Sequence, residues 1–224
     1  MKKENLPPQK KEALSSLLKL YNQVRTTIEK RMNEFRSLWE EGDEEEVFAE
    51  LVFCLLTPQS KAKWCWKAVT NLRKDGLLFK GTKEEIRKRL QLTRFRNRKA
   101  EYIVLAQKQF VKEEKPMLKH FLREFKNPFE ARNWLVKNVK GMGYKEASHF
   151  LRNIGLGEDF AILDRHILKN LFVLGVISSV PHNFTERKYI KIEEKMRDFS
   201  SKTGIQMAHL DLLLWYKETG EVFK

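Results

Sequence analysis

Residues 134–170 read WLVKNVKGMGYKEASHFLRNIGLGEDFAILDRHILKN. The pattern predicts a helix, a glycine turn, a second helix, a loop and a third helix that opens on Asp164. The first helix begins just upstream, where Asn127 and Pro128 stand in the order of an N-cap and a first-turn proline. Gly141 and Gly143 predict a tight turn, because glycine takes positive φ without steric cost. The second helix is expected from about Tyr144 to Gly155, with Gly155 as the glycine just past its end. A turn feeding a helix N-terminus presents unpaired backbone N–H groups. Such a place suits an anion, most naturally a DNA phosphate.

Two side chains in this stretch carry chemistry. Lys145 falls in the first turn of the second helix, two residues past Gly143, and Asp164 falls at the N-cap of the third. A lysine amine attacks only when neutral. The positive end of a helix dipole, basic neighbours and partial desolvation favour that form. A carboxylate facing it can stabilise a cationic transition state or move protons. Each residue alone has an ordinary reading. Lys and Arg make up 44 of 224 residues, so a lysine beside a glycine turn is common, and Asp164 by itself is a helix cap. Hairpin, lysine, loop and capping aspartate in this order are less ordinary.

On these residues the chain resembles the helix–hairpin–helix DNA glycosylase superfamily. Its bifunctional members place a Schiff-base lysine just after a GxG hairpin and an aspartate downstream. The C-terminal AHLDLLLWYKETGEVFK is similar to the compact second class of 8-oxoguanine DNA glycosylase/AP lyase, which finishes on a lysine. The resemblance runs from about Glu44 onward. Two departures stand out: Lys140 precedes Gly141 where many relatives have proline, and AIL precedes Asp164 without the frequent proline. The resemblance implies an all-α, two-lobed fold over residues 1–224 with the active site between the lobes. The hairpin would span 139–143, the central lobe about 44–155, and the second lobe about 1–43 plus 156–224.

Composition narrows the partners. The net charge is +14, and residues 51–112 alone hold 16 basic and 4 acidic side chains, whereas residues 141–224 hold 12 and 11. A concentrated basic region suggests a polyanion; the bland alternative is a solvated lysine-rich surface. No apolar run approaches the ~18 residues of a membrane span. The opening MKKENLPPQK lacks an apolar signal region, which predicts an intracellular location. Only Cys54 and Cys65 are present, too few for a four-cysteine metal site, and both are expected to be buried free thiols.

Along the chain, residues 9–36 read as a long amphipathic helix or a broken pair. Asp43 with Glu46 predicts a capping box for an apolar, buried helix VFAELVFCLL. The turn Thr57-Pro58-Gln59-Ser60 follows. By resemblance Gln59 enters the gap left by an extruded base; otherwise it is a plain turn residue. Thr82 to Glu85 caps a short helix. Then TRFRNRKAEYI places Arg94, Arg96 and Arg98 around Phe95. An aromatic in a basic loop can wedge between bases while its neighbours hold phosphates. The alternative makes Phe95 a buried anchor. Tyr102, Ile103, Leu105, Phe110, Leu118, Phe121 and Leu122 read as core. Asn183 with Glu186 predicts a capping box for a helix ending near Phe199, and a last helix runs from about Ile205 to Glu218. No segment alternates with period two.

Helical spacing groups further candidates. His149 lies one turn beyond Lys145, and Asp211 and Trp215 are one turn apart on the last helix. The resemblance implies that Trp215 stacks on the extruded base, His149 covers its other face, Asp211 bonds its edge, and Lys224 reaches it from the chain end. The plainer readings are core packing for Trp215 and a structural role for His149. His166 suits a phosphate contact near a helix N-terminus.

The reading implied is a base-excision repair enzyme that removes 8-oxoguanine through a lysine Schiff base and cuts the abasic strand by β-elimination. It would act as a monomer on double-stranded DNA containing oxidised guanine, away from membranes. It would use no cofactor, although the hairpin carbonyls could hold a monovalent ion. Two rivals remain open: a related glycosylase for another damaged base, and a non-catalytic helix–hairpin–helix DNA-binding module.

Overall fold

The computed structural model describes residues 8–181 and 184–224. Eleven helices account for nearly all its regular structure among these residues. The chain divides into two compact units, one of residues 35–157 and one of residues up to 34 together with 158–224. No helix among the described residues is long and apolar enough to cross a membrane.

Helix α1 (Pro8–Glu40) is one unbroken helix, so the broken-pair alternative falls away. Its last turns belong to the unit of residues 35–157, which is built around α2 (Glu44–Leu56). Asp43 opens α2 with the expected box: its Oδ1 accepts the Glu46 N–H at 2.8 Å, and Glu46 Oε2 accepts the Asp43 N–H at 3.0 Å. Every residue from Val47 to Leu56 is buried, as an all-round apolar helix requires. Around α2 stand α3 (Ala62–Lys74), α5 (Arg96–Phe110), α6 (Leu118–Leu122) and α8 (Tyr144–Asn153). The short α4 (Lys83–Arg89) packs on α5 and starts from the predicted Thr82–Glu85 box. A buried bond from Asn153 Nδ2 to Glu50 Oε2, 3.1 Å long, ties α8 to α2. Gly155 ends α8 at φ 79°, and a Cβ there would lie 2.7 Å from the Phe35 carbonyl oxygen. Only glycine fits that crossing.

Three expectations for this unit need correction. Leu105 is exposed, while Tyr102 and Phe121 are half-buried, although helical spacing predicts all three as core. Two-residue strands β1 (Val111–Lys112) and β2 (Lys115–Pro116) form a small antiparallel hairpin. Its turn residues Glu113 and Glu114 sit at φ 49° and 63°, the left-handed geometry of a tight two-residue hairpin turn. Their identities carry no such signal.

The other unit buries Leu17, Val24, Ile28 and Met32 of α1 and is completed by α9 (Arg165–Val173), α10 (Glu186–Thr203) and α11 (Met207–Thr219). Helix α11 packs on α9 and α10, and Tyr21 Oη meets His209 Nδ1 at 2.9 Å. The expected cap at Asn183 lies outside the described residues. The N-cap of α10 is Thr185, whose Oγ1 accepts the Lys188 N–H at 3.3 Å. Both cysteines are buried free thiols.

Candidate active site

The hairpin joins α7 (Pro128–Asn138) to α8. Asn127 caps α7 with its Oδ1 on the Glu130 N–H, and Pro128 occupies the first turn. The turn closes through Met142 N–H to the Val139 carbonyl at 3.1 Å. Gly141 sits at φ 92°, and a Cβ there would run into the Tyr102 ring. Gly143 does not share this geometry. Its φ is −99°, ordinary extended backbone, and it is the N-cap of α8. One glycine makes the turn; the other starts the helix.

Glu146 closes this N-terminus from within. Its Oε2 accepts the Gly143 N–H at 3.1 Å, and its Oε1 pairs with Lys145 Nζ at 3.0 Å. The Gly143 N–H therefore already has an anionic partner, which corrects the expectation of unpaired donors at this point of the turn. Lys145 is 25% exposed in its side chain, reachable but held. Two cross-links keep α7 and α8 in place. Arg132 donates to Ser148 Oγ at 3.1 Å, and its guanidinium stacks over the Tyr144 ring at 5.3 Å. His149, one turn past Lys145, is buried with its ring edge-on to Phe53 at 5.6 Å. Its surroundings are thus partly aromatic core.

Gln59 and Phe95 lie on the same unit, and both adopt left-handed backbone, at φ 53° and 58°. Gln59 is exposed and Phe95 is 53% exposed, so Phe95 is no buried anchor. The Arg94 guanidinium lies over the Phe95 ring at 5.5 Å, and Arg96 and Arg98 are exposed beside it. Lys99, one turn on, was not singled out in the sequence. It is 3% exposed, and its ammonium bonds to oxygens of the Gln59 turn. Its pKa is lowered to about 8, by burial above all, with Cys65 and Glu146 opposing the shift and Lys145 and Arg94 adding to it. A signal existed: Lys99, Ile103, Ala106 and Phe110 share the buried stripe of α5.

In the second unit Asp164 is the N-cap of α9. Its Oδ1 accepts both the His166 N–H at 2.8 Å and the Ile167 N–H at 2.9 Å. The approach to Asp164 is fixed by three buried side chains. Glu193 Oε2 accepts the Ala161 N–H at 2.9 Å, Asp211 Oδ1 accepts the Ile162 N–H at 3.3 Å, and Tyr189 Oη donates to the Ala161 carbonyl at 2.5 Å. Asp211 thus supports the segment before Asp164. Trp215 is half-buried, with His166 edge-on to it at 5.4 Å. His166 also faces Glu218 at 3.6 Å, so its ring belongs to a local network with Trp215. Glu218 further binds Lys169 at 2.9 Å and Asn170 at 2.9 Å, which draws its carboxyl below the usual range. Lys224 lies half-buried past Gly220, which ends α11 at φ 74°. Glu146, Glu193, Tyr189 and Glu218 were missed in the sequence. Of these only Glu146 had a signal, the N3 position relative to the Gly143 N-cap.

A helical chain whose GxG turn delivers a lysine into the first turn of the next helix is a helix–hairpin–helix protein. A family model described as 8-oxoguanine DNA glycosylase matches residues 28–205. The 8-oxoguanine DNA glycosylase/AP lyase of Fusobacterium nucleatum is 46% identical over 215 residues, covering 96% of this chain and 99% of that protein. The crystal structure of the 8-oxoguanine DNA glycosylase of Thermotoga maritima matches with a TM-score of 0.82 at 36% identity, over 96% of this chain and 100% of that one. The Methanocaldococcus jannaschii 8-oxoguanine glycosylase/lyase, solved with a 15mer DNA containing 8-oxoguanine, matches with a TM-score of 0.82 at 37% identity, over 94% and 99%. The chain belongs to the 8-oxoguanine DNA glycosylase family.

Proposed function

We propose that this chain excises 8-oxoguanine from double-stranded DNA and then cuts the abasic strand, with Lys145 as the nucleophile. The observation that carries the proposal is Lys145 itself: partly exposed, in the first turn of α8 directly after the Gly141 turn, in a chain of this family. The amine attacks C1′ of the sugar and the bond to the base breaks. The attached nitrogen gives up a proton and the C1′–O4′ bond opens, its oxygen taking up a proton; the Schiff base so formed loses a proton from C2′ as the 3′ phosphate leaves. Asp164 stabilises the positive charge that develops on the sugar and supports the proton chemistry of the lysine. Both of its cap bonds fall on Oδ1, which lets Oδ2 serve this role.

Trp215 supplies a stacking face for the extruded base, and His149, Asp211 and Lys224 are assigned contacts with that base. Gln59 and Phe95 enter the duplex, while Arg94, Arg96, Arg98, His166 and the hairpin turn at Gly141 hold phosphates. The protein acts as a monomer, without a metal or organic cofactor in the chemistry; a monovalent ion on the hairpin carbonyls would serve DNA binding only. The test is one incubation with an 8-oxoguanine duplex, resolving both the freed base and the broken strand. The proposal expects both products. Intact 8-oxoguanine with release of another lesion from a matched duplex points to a different substrate, and binding without either product points to a non-catalytic module.

A further inference from the structure

Two exposed tips on the unit of residues 35–157 share an unusual feature. Gln59 and Phe95 both hold left-handed backbone, at φ 53° and 58°. Non-glycine residues rarely adopt that geometry, and it persists only where surrounding structure enforces it. A buried ammonium lies against the first of them. Lys99 Nζ donates to the Leu56 carbonyl at 2.6 Å, the Pro58 carbonyl at 2.8 Å and Ser60 Oγ at 2.9 Å. Those three acceptors bracket Gln59. Ser60 Oγ in turn accepts the Arg94 N–H at 2.9 Å, and the Lys99 N–H bonds the Phe95 carbonyl at 3.1 Å. The ammonium also sits at the C-terminal end of α2, where a cation is favourable and the last carbonyls lack helical partners. All three donors of the ammonium are used, which is how a buried lysine is tolerated.

We infer that Lys99 is a positioning residue: with Ser60 it locks the Gln59 turn and the Phe95 loop into one rigid edge that enters DNA. The inference rests on the reading of Gln59 and Phe95 as DNA-inserting groups. An apolar side chain at 99 would fill the volume but leave the Pro58 carbonyl without its donor and Ser60 Oγ held by the Arg94 N–H alone, loosening the link between the two tips. Lys99 touches no substrate in this account. Its effect passes through the two tips.

The experiment uses the full chain and an 8-oxoguanine duplex carrying 2-aminopurine beside the lesion, whose fluorescence rises when that base unstacks. Lys99→Met and Ser60→Ala are compared with wild type, with Ser60→Thr, which keeps the shared hydroxyl, and with Phe95→Ala and Gln59→Ala. Lys99→Met and Ser60→Ala should lower the fluorescence rise at saturating protein. They should slow single-turnover base excision by about tenfold, the order expected for lost hydrogen bonds to a charged group. Cleavage of a preformed abasic strand should change less, and Ser60→Thr should restore the signal. A wild-type fluorescence rise in both Lys99→Met and Ser60→Ala overturns the inference. So does a parallel fall of both rates that tracks the melting temperature, which marks a merely structural lysine. If Phe95→Ala and Gln59→Ala leave the fluorescence unchanged, the tips do not enter DNA, and it is the underlying reading that fails.

Discussion

Replacing Asp164 separates its capping of α9 from the catalytic role proposed for it. As an N-cap its Oδ1 accepts two backbone N–H groups, from His166 at 2.8 Å and Ile167 at 2.9 Å. Loss of such a cap to alanine costs about 0.5–2 kcal/mol, whereas asparagine caps nearly as well. For a chain of this size 1 kcal/mol corresponds to a melting shift of about 2–4 °C. Asp164→Ala should therefore melt a few degrees lower, and Asp164→Asn close to wild type. The chemical role makes the opposite demand. Asparagine keeps the oxygen on the N–H groups but removes the negative charge. A charge acting on the transition state is worth about a hundredfold to a thousandfold in rate. Both variants should lose base excision by that order in single turnover, with lesion-DNA affinity largely kept. The assay pairs a thermal melt with single-turnover excision on the 8-oxoguanine duplex. Asp164→Asn with near-wild-type rate would reduce Asp164 to a helix cap.

Three further outcomes are expected. Neutralising Arg94, Arg96 and Arg98 together should weaken DNA binding and flatten the plot of log affinity against log salt by about 0.9 per lost phosphate contact; an unchanged slope moves the DNA surface elsewhere. Trp215→Ala and removal of Lys224 should each impair 8-oxoguanine excision more than cleavage at a preformed abasic site, about 1–3 kcal/mol of stacking being at stake for the tryptophan; an unchanged ratio of the two rates makes this segment structural. Lys99, with its pKa near 8 in the folded chain against an ordinary 10.5, gives up its proton earlier folded than unfolded. The unfolded chain then binds more protons between those values, so the stability of wild type relative to Lys99→Met should rise with pH across that window in denaturant titrations. A constant or falling difference contradicts the buried ammonium.

How far the chain could be read in advance varies with the kind of interaction. Local signals were legible: Asn127–Pro128, the Asp43–Glu46 and Thr82–Glu85 boxes, Gly155 after α8 and Asp164 before α9 all depend on residues within one turn of each other. Gly143 misled because a GxG spacing does not say which glycine carries the positive φ; the N-cap role needed only extended backbone. Leu105 misled because helical spacing identifies a stripe but not its edges. Contacts across long separations were out of reach. Asp211 bonds the Ile162 N–H and Lys99 bonds the Leu56 carbonyl, and nothing near either residue in the chain announces its partner. The same holds for Glu218, whose partners Lys169 and Asn170 lie on another helix.

If Lys145 is the nucleophile, it becomes covalently joined to the sugar. Borohydride reduces a Schiff base to a stable amine, so wild-type protein on 8-oxoguanine duplex should yield a protein–DNA species that survives denaturation. Lys145→Gln, folded and still bound to the duplex, should yield none. Undiminished trapping with that variant would place the nucleophile on another residue and contradict the account.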